Sequence, residues 1–329
     1  MKRFLGLTLA VIFVLSFAAL ASAQDVKLTG EIKIWNWYRD NMSVGNTLST
    51  NAPTATASQA FSMTRVRLGV DIKISDNVKG MVELESSGIN EVTGAAHTGA
   101  AAGADTADFY GWGSLNAKQA SVNFRQAWIL YTGSGLLGVP AGLKIGHMPL
   151  MLGHGKFFNN TRYGDDAIVV FADPNKQLHL GVLTFKAFEY TMADPNAAST
   201  SDVDVYAVVV TYKLDDKNSI GVNYSRVNDP DSTVNLRRLQ NLMLHATGEV
   251  GGFGYKAEAD YQSGALNEAG LKAGGSGAFL EVSKKLDPVN KRMSYARGSG
   301  DNNAADNKNK SFIVFLGPDM NVAWIYEYQ

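Results

Sequence analysis

Charged side chains recur at every second position in several stretches of this chain, and the spacing limits the chemistry open to them. Arg65, Arg67, Asp71 and Lys73 alternate with Val66, Leu68, Val70, Ile72 and Ile74. Lys27, Glu31 and Lys33 alternate with Val26, Leu28, Ile32 and Ile34, and Lys256, Glu258, Asp260 and Gln262 alternate with Phe253, Tyr255, Ala257, Ala259 and Tyr261. A period of two places each charged set on one face of an extended strand. Such a row forms an electrostatic wall, not a convergent catalytic pair. Groups that could converge are scarce. Asp165 and Asp166 are adjacent, so in a strand they point to opposite faces and cannot share a substrate proton. The histidines show no i, i+4 pair and give no zinc site. No Gly-x-Ser-x-Gly follows a strand to present a nucleophile. Asp301 and Asp306 with their asparagine neighbours match no defined calcium loop. His97 with Asp105 and Asp108 is the one local cluster that a hydrolase could use. There is no cysteine, which removes disulfides and thiolate ligands. The reading is a protein without catalytic residues, metal or cofactor.

The elements that carry these rows are strands. The same alternation recurs at Val78, Val82 and Leu84 against Lys79, Glu83 and Glu85, and at Ala278, Leu280 and Val282 against Glu281, Ser283 and Lys285. Several runs reach ten residues or more, the length of a tilted strand that crosses a bilayer. Aromatic residues gather near strand ends, among them Trp35, Trp37, Trp128, Tyr131, Tyr212, Tyr224, Tyr295 and Trp324. That placement suits the two interfaces of a membrane. The mean hydropathy is only −0.10, as expected when a wet face offsets an apolar one.

The N-terminus points to export. Lys2 and Arg3 precede an apolar run from Leu5 to Leu20 and then Ala21-Ser22-Ala23. This is the pattern of a cleaved secretory signal. Residues 1–23 are therefore expected to be a Sec signal peptide and residues 24–329 one outer-membrane domain. Lys and Arg number 30 and Asp and Glu 31. Losing Lys2 and Arg3 gives 28 − 31, a net charge of −3, which is no footprint for nucleic acid.

Connection lengths alternate. Short turns fall at Asp76-Asn77, Gly133 to Val139, Asp173 to Asn175, Asp215 to Asn218, Gly251-Gly252, Asp287 to Asn290 and Gly317 to Asp319. Long connections fall at Asp40 to Ala60, Gly88 to Lys118, Leu150 to Tyr163, Ala193 to Asp202, Asn228 to Asn235, Gly264 to Gly275 and Gly298 to Lys310. Bacterial barrels have short periplasmic turns and long outer loops. The expected fold is thus all-β, a transmembrane antiparallel up-and-down barrel with about 14–16 strands in this chain. The connections give fifteen, including a run between Lys310 and Gly317 and a last one from Asn321 to Gln329. Single-chain barrels have even numbers, so the expectation is either that the count is off by one or that a C-terminal part is missing, with roughly 16–18 strands in the whole.

Arg125-Gln126-Ala127-Trp128 followed by Leu143-Lys144-Ile145-Gly146-His147 resembles a porin hairpin, with His147 where such families often have Arg. Tyr295-Ala296-Arg297-Gly298-Ser299-Gly300-Asp301, then Phe312 and Leu316-Gly317-Pro318, resembles a pattern of alginate-export-type barrels. The resemblance covers most of residues 24–329. It implies a porin-like channel in the outer membrane of a Gram-negative cell, and a long loop folded into the lumen. Residues 150–166 fit that loop through His154, Lys156, Arg162, Asp165 and Asp166. Its acids would face basic wall residues Arg65, Arg67 and Arg125 across the opening. The wall candidates are Lys33, Arg65, Arg67, Asp71, Lys73, Glu83, Glu85, Arg125, Lys144, Lys256, Glu258 and Asp260, a mixed set that favours neither sign of ion. The expected function is passive diffusion of small hydrophilic solutes or ions. The alternatives are export of an alginate-like polysaccharide, which needs a basic constriction, and a barrel enzyme. Expected partners are outer-membrane lipid, lipopolysaccharide, the solutes and a homotrimeric assembly.

Overall fold

The computed structural model describes residues 25–43, 56–87, 110–112, 121–135, 138–188, 202–230, 236–303 and 305–315. The strands are β1 (Asp25–Ser43), β2 (Thr56–Lys73), β3 (Val78–Ser87), β4 (Tyr110–Trp112), β5 (Ser121–Ser134), β6 (Pro140–Met148), β7 (Asp165–Ala172) and β8 (Leu178–Phe188). They continue as β9 (Val203–Lys213), β10 (Ser219–Asn228), β11 (Gln240–Val250), β12 (Phe253–Ser263), β13 (Lys272–Ala273), β14 (Ser276–Leu286), β15 (Val289–Gly298) and β16 (Lys308–Asn309). β4, β13 and β16 have two or three residues each, which leaves thirteen long strands. No helix occurs among the described residues. The proposed signal peptide, the His97 cluster, the turn at Gly317 and the run from Asn321 lie outside them.

The chain separates into two units, one of residues 1–73 and 81–125 and the other of 74–80 and 126–329. In the first, β1 and β2 form a long antiparallel hairpin. Its register sets Glu31 opposite Arg67 and Lys27 opposite Asp71, and opposed charges of this kind stabilise a strand pair. The hairpin runs further than its polar sequence suggests. β1 reaches Ser43 and β2 begins at Thr56, so cross-strand pairing claims both ends of the expected Asp40–Ala60 loop. In the second unit, β6 to β12 pair in sequence order, each antiparallel to the next, and β14 and β15 extend the row. Turns after β7, β9, β11 and β14 therefore share one end of the row. The longer connections after β6, β8, β10 and β12 share the other.

The faces are inverted relative to a water-soluble sheet. Ile168, Val182, Val208, Leu244 and Leu280 of the second unit are large, apolar and exposed. The alternate positions bury Asn223, Ser225, Asn241, Glu258, Asp260 and Gln262. In the first unit Leu28, Ile32 and Leu68 are exposed while Arg65 and Glu85 are buried. Water penalises both halves of this arrangement, and a hydrocarbon exterior favours both. Exposed Tyr131, Tyr212 and Phe253 sit near the short turns, and Tyr206 and Tyr261 near the long loops, where a bilayer would place its interfaces.

One region departs from the expected polar interior. Phe185, Val203, Val205, Ala207, Val227 and Met243 are buried with Leu152, Phe157 and Phe158 of the connection after β6. Val203 to Val210 is apolar at nearly every position, so β9 is largely apolar on both faces. The inner face there receives a folded loop instead of water.

Leu244, 55% exposed, is the sensitive position. Leu244→Arg is expected to lower unfolding stability in lipid vesicles by about 2–4 kcal/mol if this face meets hydrocarbon. A cost within about 0.5 kcal/mol, as at ordinary wet surfaces, would contradict the assignment. Urea unfolding followed by heat-modifiable gel mobility measures it.

Candidate functional site

The connection between β6 and β7, residues 149–164, lies across the inner face of the second unit. Two glycines with positive φ, Gly153 (54°) and Gly155 (75°), turn its backbone. A methyl group on Gly153 would come within 2.7 Å of Glu258 Oε2, so the close approach requires glycine. Glu258 then accepts two backbone hydrogen bonds, one from the amide of His154 and one from that of Lys156 at 3.1 Å. His154 Nε2 lies 2.9 Å from the Ala246 carbonyl. The Lys156 ammonium sits 4.0 Å from the centroid of the Phe279 ring. Leu152, Phe157 and Phe158 anchor the middle of the loop in the apolar cluster.

The loop base is held locally. Asn160 Nδ2 donates to Asp165 Oδ1 and to the Gly164 carbonyl, both at 2.9 Å. Asp165 is buried, whereas the side chain of Asp166 is 79% exposed and lies 2.9 Å from His147 Nδ1. The two carboxylates diverge, as their adjacency requires. His147 also meets the Tyr163 carbonyl through Nε2 at 2.9 Å. It shares the outward parity of Ile145 and thus faces away from the interior. Arg162 is exposed and packs against Tyr163, 5.2 Å from its ring centroid.

Beneath the loop, β12 carries Glu258 and Asp260 on its inner face, both buried. Asn241 of β11 donates to Asp260 Oδ1 at 2.8 Å. Lys256, two residues toward the turn, is half exposed and lies 3.6 Å from Glu281. Lys144 on β6 covers the Trp128 ring at 3.9 Å.

The first unit holds a charge ladder. Arg65 donates to Glu31 at 2.7 Å and lies 3.9 Å from Glu85, which pairs closely with Arg67. Lys33 lies 3.1 Å from Glu31, and Arg125 pairs closely with Glu83. Within the first unit arginines meet glutamates, and within the second the loop amides meet Glu258. Short cross-strand distances explain the first, because buried charges are retained when paired nearby. Asp71 is exposed and stands opposite Lys27, and Lys73 is half-buried and stands opposite Asp25. Asn241, Asn223 and Ser225 were missed because they carry no charge, and Gln262 was placed on the polar face of its strand but not among the site residues. Their inner parity in β10, β11 and β12 was the available signal.

A model of the alginate export family matches residues 38–318. The chain belongs to that family. Membership agrees with the strand architecture, and the protein is an outer-membrane barrel of the porin-like kind. No curated protein matches the chain significantly. Among solved structures it is similar to Salmonella typhi OmpF at 12% identity, covering 88% of this chain and 96% of that one with a TM-score of 0.43. Pseudomonas putida OprB gives 12% identity, 85% and 76% coverage and a TM-score of 0.45. The DcaP channel of Acinetobacter baumannii gives 12%, 83%, 90% and 0.39. At these values no residue role is carried across. The family motif beginning at Tyr295 maps onto β15 and the segment after it.

Two outcomes check the site. Removing the Glu85 carboxylate leaves two arginines on a buried wall, so Glu85→Ala should cost about 3–5 kcal/mol. The Arg67→Ala, Glu85→Ala double variant should lose less than the sum of the single variants, as read by a double-mutant cycle in urea. His154 has its pKa pushed below the usual histidine value, first by burial and then by Lys256 and Lys156, against the raising influence of the Ala246 carbonyl and Glu281. The unfolded chain thus binds this proton before the folded one. Stability is full above the ordinary histidine range and falls as pH drops through it. His154→Gln should flatten that slope in unfolding curves taken between about pH 7 and pH 5.

Proposed function

We propose that the protein conducts small hydrophilic solutes or ions by passive diffusion through a water-filled lumen, narrowed by residues 149–164 and without catalysis. The observation that carries this reading is the inverted sheet with a loop folded onto its polar face. Charges on a face turned from lipid give a hydrated path, and an inward loop sets its narrowest section. The mixed wall, with Arg65, Arg67 and Arg125 balanced by Glu31, Glu83 and Glu85, supports weak ion selectivity. Lipid and lipopolysaccharide around the apolar exterior, and a homotrimer, belong to the same proposal, as does export past residues 1–23.

A second reading, export of an alginate-like polyanion, is favoured by the family match and by one local feature. Toward the turns, the inner faces of β12, β14 and β15 set Lys256 and Arg292 about Glu281, at 3.6 and 3.7 Å, with Lys285 nearby and 76% exposed. Lys285 meets Asp287 at 3.4 Å, so three cations stand against two carboxylates and give a local excess of one positive charge. Above it the buried acids Glu258 and Asp260 would oppose a polyanion, so diffusion of small solutes is the reading preferred.

Planar bilayers decide. Purified protein is expected to open ohmic channels, and deletion of Gly153–Thr161 to raise their conductance. A folded protein that never opens a channel would refute the reading. Current block by alginate oligomers at far lower concentration than by neutral oligosaccharides would shift the conclusion to export.

A further inference from the structure

The segment after β15 does not stay at the rim. Residues 311–315 lie where the connection lengths predict another strand, but they form none. The backbone re-enters the interior of the second unit and meets the loop 149–164.

Three features hold it. Gly277 of β14 and Gly298 of β15 are directly opposed, and the Phe312 ring rests on both. A methyl group would approach Phe312 to 3.0 Å at Gly277 and to 3.2 Å at Gly298. The Phe312 amide donates to the Ser299 carbonyl at 2.8 Å. Gln262, fully buried on β12, grips the next residue at both ends of its carboxamide. Its Nε2 donates to the Ile313 carbonyl at 2.7 Å, and its Oε1 accepts from the Ile313 amide at 2.8 Å. Phe315 then reaches the loop. Its amide donates to the Phe157 carbonyl at 2.9 Å. Its ring stacks on Phe157 and Phe158 with centroids 6.3 and 6.2 Å apart.

We infer that Gln262 is a positioning residue that seats residues 311–315 as a second constriction element, and that Phe315 holds the loop 149–164 inward. Gly298 and Ser299 make the floor and the tether, and Phe312 is the part that settles on them. Phe315, Phe157 and Phe158 gain stability by covering each other's rings within the apolar cluster. A carboxamide bound to one residue's N–H and C=O substitutes for a strand partner where none is present. This inference rests on the channel reading for its effect on conductance, but not for its effect on the loop.

The test combines a protease and an electrical readout on the folded protein in lipid, with heat-modifiable mobility as the folding control. Gln262→Ala and Phe315→Ala are each expected to speed tryptic cleavage after Lys156 by roughly tenfold, the opening expected from losing a pair of hydrogen bonds or a ring contact. Both should also raise single-channel conductance. Gln262→Glu, which keeps an acceptor for Ile313 N–H but loses the donor, should fall between wild type and Gln262→Ala. Cleavage unchanged in both alanine variants overturns the inference. So does faster cleavage with a conducting wild type whose conductance no variant alters, because the segment would then lie outside the narrow section. A wild type that carries no current at all refutes the channel reading alone, and cleavage still decides whether the loop is held.

Discussion

An exterior of apolar side chains is the constraint on which the rest of this molecule depends. Leu242 and Leu244 are exposed while Asn241 and Met243 of the same strand are buried, and Tyr261 is exposed between the buried Asp260 and Gln262. In water this would be the wrong way round. Where the exterior is hydrocarbon, the backbone must satisfy its own hydrogen bonds, and paired strands do so. The polar side chains are then left with the interior and with one another. The pairing of Arg65 and Arg67 with Glu31 and Glu85 follows from that confinement, since a buried charge without a partner is costly.

The same constraint governs the loops. Chain that folds inward meets polar wall groups and has to satisfy them. Glu258 receives two loop amides, and Gln262 takes both backbone groups of Ile313. Apolar loop residues find each other where the wall offers Phe185, Val203, Val205, Ala207 and Val227. The interior is accordingly divided. A phenylalanine-rich cluster supports the two inward segments near the loop ends, and titratable groups such as Lys256, Glu281 and Arg292 line the part nearer the turns.

Much of this was legible in the residues. Period-two alternation located the long strands, and the alternation of connection lengths separated the two ends of the row, because both follow from backbone geometry. Membership of the alginate export family agrees with the motif at Tyr295. Pairing preferences were less legible. Arg65, Arg67 and Arg125 were recognised as wall residues, but their glutamate partners depend on register, which single residues do not encode. Residues 311–315 were misjudged as strand because Phe312, Ile313, Val314 and Phe315 are strand-formers. The opposed glycines at 277 and 298, which make room for Phe312, lie in other strands and become neighbours only after folding. Leu152, Phe157 and Phe158, apolar within the loop, were the local sign that it is buried.

The inverted faces can be tested most directly with spin labels. The chain has no cysteine, so single-cysteine variants at successive positions from Leu242 to Ala246 can each be labelled in lipid vesicles. Collision with dissolved oxygen, which concentrates in the bilayer, should be high at 242, 244 and 246 and low at 241, 243 and 245. A water-soluble nickel chelate should never exceed oxygen at the first set. Uniform accessibility along the strand, or greater access of the chelate to 242 and 244, would contradict the account.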